Sequence, residues 1–198
     1  MDYQGLVKRL VLPAAWTPPA ELAYDGIRAA AITRVHLHDD VQGINASIGL
    51  IQRTRGGRWP TEPVTEDVNF VDLVWHECEF RDGRSFTYAV YDKHDRYLGC
   101  CYLYPMGTRT PLREELLIHD VDVSWWVTPH AYEHGYYTML YAALQHWIKT
   151  AFPFTSAYYS NSEIPANPAP LCPLQQVRSA WPGASGGAWA PRPSSRSH

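Results

Sequence analysis

The chain has 198 residues, of which 45% are hydrophobic and 13% aromatic, enough for one globular domain with its own core plus a tail. A formal net charge of −3 argues against a general nucleic-acid binder, and no apolar run approaches the ~20 residues that a membrane-spanning helix needs. Lys8 and Arg9 precede only a few apolar residues, unlike a secretory leader. Cys78, Cys100, Cys101 and Cys172 show no CxxC spacing, which predicts reduced thiols in a cytoplasmic protein.

In chain order, Ala29–Val35 reads as a strand, and Asp39 or Asp40 is positioned to cap a helix running to about Ile51. Arg53–Thr65 carries Gly56, Gly57, Pro60 and Pro63 and is a loop. Thr65 and Glu66 open a second helix to about Arg81, with Val68, Val71, Trp75 and Cys78 at three- and four-residue spacing as its apolar face. Asp82-Gly83 ends it. Ser85–Asp92 and Tyr97–Tyr104 form a hairpin through His94-Asp95. Leu116–Thr128 is a long strand, Gly135–Thr150 a helix with Met139, Leu140, Ala143, Leu144 and Trp147 inward, and Thr155–Ser160 a last strand. The order predicts an α/β fold, a mixed and mostly antiparallel sheet covered by helices.

The composition changes near Pro165, giving a domain over residues 1–165 and a tail over 166–198. Ala, Pro, Ser and Gly supply 20 of the tail's 33 residues, and it contains three arginines and no acid. Such a segment buries too little apolar surface to offset its ordering entropy. It is expected to be disordered, with Leu171, Leu174, Val177, Trp181 and Trp189 as its only anchors.

The most informative stretch is Asp120–Leu140, DVDVSWWVTPHAYEHGYYTML. A strand ends at Val127-Thr128, Pro129 breaks it, and a helix starts near Gly135. The first turn of a helix presents unpaired N–H groups and the positive end of its dipole, which suits a pyrophosphate. Glycine there lets phosphate approach the backbone.

This segment resembles the GNAT superfamily of acyl-CoA N-acyltransferases. In that family a hydrophobic-x-Pro strand end leads to Arg/Gln-x-x-Gly-x-Gly/Ala and a helix. Val127-Thr128-Pro129 and Tyr132-Glu133-His134-Gly135-Tyr136-Tyr137 occupy those positions, and DVSWWV resembles the family's acidic-x-x-aromatic-Trp-Val strand. The helix–strand stretch from DLVWHECEF to RYLGCCYLYP resembles a bacterial subgroup with few named substrates. Two residues depart from the pattern: Tyr132 replaces the Arg or Gln, and Tyr137 replaces the last small residue. The family's further helix and two strands have no counterpart past Pro165.

The resemblance implies acetyl-CoA as acyl donor, an amine as acceptor, no metal, no nucleic acid and no membrane; homodimer formation is left open. It implies that the two parallel strands splay, commonly through a β-bulge, to admit pantetheine. Trp126, Val127, Tyr132, Glu133, His134, Gly135, Tyr136, Tyr137, Thr138 and Asn161 then contact CoA, with a backbone N–H near Val127 polarising the thioester carbonyl. Asp122 is the candidate base, sharing a strand face with Asp120, Ser124 and Trp126. Tyr159 is the candidate acid, with Tyr158 and Tyr136 in reserve. His76 and Glu77 are candidates for acceptor contact.

Two alternatives remain at this point. A degenerate GNAT-like protein would bind CoA as a regulator without turnover. A metal-dependent hydrolase would use His36 and His38, which share a face if they lie on a strand, beside Asp39 and Asp40.

Overall fold

A computed structural model describes residues 3–166; of the predicted tail only Ala166 falls within that range, and the anchors named above lie outside it. Six strands pair in sequence order: β1 (Glu21–Tyr24), β2 (Ile27–Ala31), β3 (Phe86–Asp92), β4 (Tyr97–Tyr104), β5 (Val121–Val127) and β6 (Ala157–Tyr159). Every pairing is antiparallel except β5 with β6. The mixed, mostly antiparallel α/β architecture is the one expected.

The hairpin β1–β2 was not foreseen. It turns at Asp25-Gly26, both at positive φ (47° and 79°), the two-residue turn that suits the twist of antiparallel strands. At β3–β4 the turn is held by Asp92, whose carboxylate accepts the N–H groups of His94 and Arg96 and pairs with the Arg96 guanidinium at 2.8 Å.

Side chains alternate across the sheet, so it has two cores. One face carries Tyr88, Cys101, Leu103, Val123, Trp125 and Val127 and is covered by α4 (Tyr136–Ala151) through Leu140, Leu144 and Trp147. The opposite face carries Ala89, Tyr91, Cys100, Tyr102 and Trp126. It is covered by α1 (Leu37–Thr54) and α2 (Glu66–Arg81). Gly43 of α1 permits that contact, since a Cβ there would stand 2.6 Å from the Tyr97 ring. A short α3 (Pro129–Glu133), capped by Thr128, joins β5 to α4.

Several boundaries move. His36, not an aspartate, precedes α1; Asp39 and Asp40 lie inside it. Asp40 is buried, accepting from Tyr97 Oη (2.7 Å) and Asn69 Nδ2 (2.8 Å). The residues ahead of Val121 form a 3-10 turn and a loop instead of the start of a long strand. In α2 the predicted apolar face is turned outward: Val68, Val71 and Trp75 are 63%, 55% and 59% exposed, while Asn69 and Leu73 are buried. Asn69 is drawn inward by its bond to Asp40, which outweighs the periodicity of the larger residues. Among the described residues no helix is long and apolar enough to cross a membrane.

Candidate functional site: a fork between parallel strands

β6 pairs with β5 over only three residues, Val121 with Ala157, Asp122 with Tyr158 and Val123 with Tyr159. Ser160 N–H adds one more bond, to Val123 O at 3.0 Å. Beyond that point β6 ends while β5 continues to Val127, and the two part. The pairing of β5 with β4 runs unbroken from Asp122 to Val127, so no bulge in β5 drives the parting. The chain instead leaves the sheet at Asn161.

Asn161 is 6% exposed and bridges the fork with its side chain. Its Oδ1 accepts from Trp125 N–H (3.1 Å), and its Nδ2 donates to Trp125 O (2.9 Å) and to Tyr137 Oη (2.7 Å). The Tyr137 hydroxyl donates in turn to Glu163 O at 2.6 Å. Strand alternation turns the Val127 N–H to this same side, one step past the reach of Asn161. Tyr137 thus packs against Trp125 (centroids 5.3 Å apart, planes tilted by 33°) where the family pattern has a small residue, and its hydroxyl secures the chain after Asn161.

The turn into α4 follows. Gly135 sits at φ 80°, ψ 3°, and nothing lies within 4 Å of where its Cβ would be. His134 and Gly135 N–H groups are already bonded, to His130 O and Tyr132 O. The free donors of the helix start are therefore those of Tyr136, Tyr137 and Thr138, a shorter set than Glu133 to Thr138, because α3 consumes the rest. Tyr132 gives its hydroxyl to the Glu163 carboxylate, and Arg53 lies over its ring at 5.0 Å and 3.6 Å from Glu163. Trp126 requires correction: its indole is fully buried, bonded to Tyr102 Oη (2.9 Å), and its backbone pairs with Cys100 on β4, away from the fork.

On the α1/α2 face, Asp122 is completely buried. Oδ2 accepts from Thr110 N–H (3.2 Å), and Oδ1 has no partner among the described residues. Ser124 receives Arg55 Nε at 3.2 Å. Tyr159 points to the opposite face, against Trp125 and Tyr141, where burial pushes its phenol up and keeps it protonated. Asp122 and Tyr159 therefore flank the fork from its two sides. Tyr158 shares the Asp122 face and packs on His119.

His76 and Glu77 do not converge. His76 faces the sheet, 3.1 Å from Thr87 Oγ1, whereas Glu77 binds Arg34 N–H and Nε. The hydrogen bond from Arg34 holds the Glu77 carboxyl below its usual range. Glu77 lines a surface cavity of about 720 Å³ with Phe70 and Phe80, and a second of about 480 Å³ lies near Tyr104 and Pro105. The fork lines neither.

The His36–Asp40 run disperses: His36 Nδ1 takes the Thr33 N–H, His38 faces Gln42, and Asp40 is buried. These residues span a 3-10 turn and a helix, so the strand geometry that would pair the two histidines is not there. Among the described residues no three His, Cys, Asp or Glu converge as a metal site.

No protein-family model and no curated protein matches the chain. Among solved structures it is similar to the ribosomal L7/L12 alpha-N-protein acetyltransferase RimL in complex with coenzyme A. That likeness has a TM-score of 0.51 and 11% identity, over 67% of this chain and 70% of that one. The chain has the GNAT fold. Two further solved structures are similar at lower scores. One is a putative ribosomal-protein-serine acetyltransferase from Vibrio cholerae (TM-score 0.49, 13% identity, 66% and 67% covered). The other is the microcin C7 self-immunity acetyltransferase MccE with acetyl-CoA and AMP (0.48, 9%, 65% and 66%).

Proposed function

We propose that the protein is an N-acyltransferase that moves an acyl group, acetyl in the first instance, from acyl-CoA to an amine in the cytoplasm. The observation that carries this reading is the continuity of the β5 edge, whose Val127 N–H faces the fork, with a helix start whose glycine is open to solvent. Acetyl-CoA supplies an activated acyl group as a thioester. The N–H groups of Tyr136, Tyr137 and Thr138 and the approach left by Gly135 suit its pyrophosphate. Val127 N–H offers a donor to a carbonyl oxygen. Asp122 accepts the proton of the incoming amine on one face, and Tyr159 carries a proton on the other.

One feature favours a second reading, a CoA-binding protein without turnover. Asn161 already satisfies the backbone N–H and C=O of Trp125, and Glu163 puts a carboxylate beside Tyr132 at the phosphate turn. CoA must be accommodated beside these contacts or displace them. Calorimetric titration with CoA and acetyl-CoA, then release of free CoA thiol in the presence of an amine library, separates the readings. In a folded Gly135→Asp variant the added carboxylate repels phosphate, so CoA affinity falls at least tenfold; unchanged affinity refutes the phosphate turn.

A further inference from the structure

Beside Asp122 lies a group of charges that acyl transfer alone does not require. Arg55 follows α1 at its C-terminal cap and is only 8% exposed. Its guanidinium is held between Tyr102 (4.1 Å to the ring centroid) and Trp59 (5.6 Å), and Nε donates to Ser124. Its two terminal nitrogens donate to nothing among the described residues, and no carboxylate lies within ion-pair distance. Arg109 stands next to it, with Nε on Ser160 Oγ at 3.1 Å and Nη2 on the Arg55 carbonyl oxygen. It too has no ion-pair partner among the described residues. Burial first, then the charge of Arg55, pulls Arg109 below its ordinary pKa. On the same strand face, Asp122 Oδ1 is buried and unpartnered.

Two guanidinium groups and one carboxylate leave this cluster with a net positive charge in a desolvated setting. Burying charge without a partner is costly, and a built protein rarely leaves it so without a use. Arginine's planar fork matches carboxylates and phosphates, and stacking between aromatic rings fixes its plane. Asp122 and Ser124 are two residues apart on β5, about 7 Å along the strand. An orphaned acceptor and orphaned donors at that spacing are complementary to a small zwitterion.

We propose that Arg55 and Arg109 form an anion subsite that selects an acceptor bearing a carboxylate or phosphate a few bonds from its amine, such as a free amino acid or an aminoalkyl phosphate. Its ammonium faces Asp122 and its anion faces the arginines; polyamines, which add a second positive charge, are disfavoured. This rests on the acyltransferase reading for its role, but its anion affinity can be measured without turnover.

The test has two arms. In the first, inorganic phosphate and acetate are titrated calorimetrically into the wild type, Arg55→Met, Arg55→Lys and Arg109→Gln, each checked for a native melting transition. The wild type binds, Arg55→Met and Arg109→Gln lose about tenfold or more, and Arg55→Lys loses less, because the charge remains without the planar fork. Arg109 is only half-buried, so its variant keeps the test valid if Arg55→Met fails to fold. In the second arm, kcat/KM is compared for amino acids, their carboxamides, O-phosphoethanolamine and spermidine. The anionic acceptors are preferred in the wild type, and the preference collapses in the arginine variants. Equal anion binding by wild type and variants, or carboxamides and spermidine that match the anionic acceptors, overturns the subsite. Arginine-dependent anion binding with no turnover on any amine upholds the subsite and refutes the acyltransferase reading.

Discussion

Replacing Asn161 by alanine removes three hydrogen bonds at a position that is 6% exposed, two of them to the backbone of Trp125. The N–H and C=O of Trp125 are left facing a small apolar gap, and each buried group that loses its partner costs about 1–3 kcal/mol. The bond to Tyr137 is less expensive to lose, because that hydroxyl still donates to Glu163 O. The sum is about 3 kcal/mol, or roughly 6–12 °C in melting temperature for a domain of this size. Urea denaturation of Asn161→Ala against wild type measures it. Asn161→Asp retains the acceptor for Trp125 N–H but sets an acceptor against Trp125 O, so it is expected to be no better than alanine. A loss below about 0.5 kcal/mol, typical of an exposed polar residue, would refute the view that this side chain closes the fork. CoA affinity measured in the same variant then tells whether the bridge opposes or assists binding.

Asp122→Asn keeps the shape of the side chain but removes its basicity, so turnover falls about 10²–10⁴-fold at neutral pH, and less at higher pH, in a pH–rate profile. Burial alone would raise the carboxyl of Asp92, but the N–H groups of Arg96 and His94 and the Arg96 guanidinium outweigh it and hold the group below 3.8. Its contribution to stability is thus full above the pKa of the unfolded chain and lost as pH falls through the lower folded value. Asp92→Asn is accordingly destabilised at pH 7 and shows a flatter decline below about pH 4 in melting curves taken against pH. On α2, Leu73→Ala costs about 2–5 kcal/mol in urea titration, whereas Trp75→Ser stays within about 0.5 kcal/mol because Trp75 is mostly exposed.

The parts of the fold carried by short-range signals were legible. The β3–β4 hairpin follows from two alternating apolar runs around a turn, and α2 begins at Thr65, whose hydroxyl accepts from Val68 N–H. The β1–β2 hairpin was passed over because its strands are only four and five residues long, although Asp25-Gly26 is the signal for such a turn. Periodicity identified an apolar stripe on α2 but not which side faces inward. That depends on a polar contact, Asn69 to Asp40, across 29 residues of sequence. Asp122 and Asn161 were both singled out by family resemblance, Asp122 from the acidic position of the strand and Asn161 from the strand exit. Arg55 and Arg109 were missed because neither lies in a motif. They meet only when the end of α1 and the β4–β5 loop converge on the same face of β5.

Cys100 and Cys101 are adjacent in sequence yet belong to opposite cores, Cys100 beneath α1 and Cys101 beneath α4. Burial raises both thiols, with the Asp40 carboxylate adding to the effect at Cys100, so neither offers thiolate to an alkylating reagent in the folded state. The pair therefore works as a built-in two-channel probe of local opening. Timed alkylation followed by peptide mass analysis reports the lifting of α1 and α2 through Cys100, and of α4 through Cys101. Equal rates at the two positions mean that the sheet is unveiled on both sides in a single cooperative event; a faster Cys100 means that α1 and α2 detach first, while α4 stays in place over the other face.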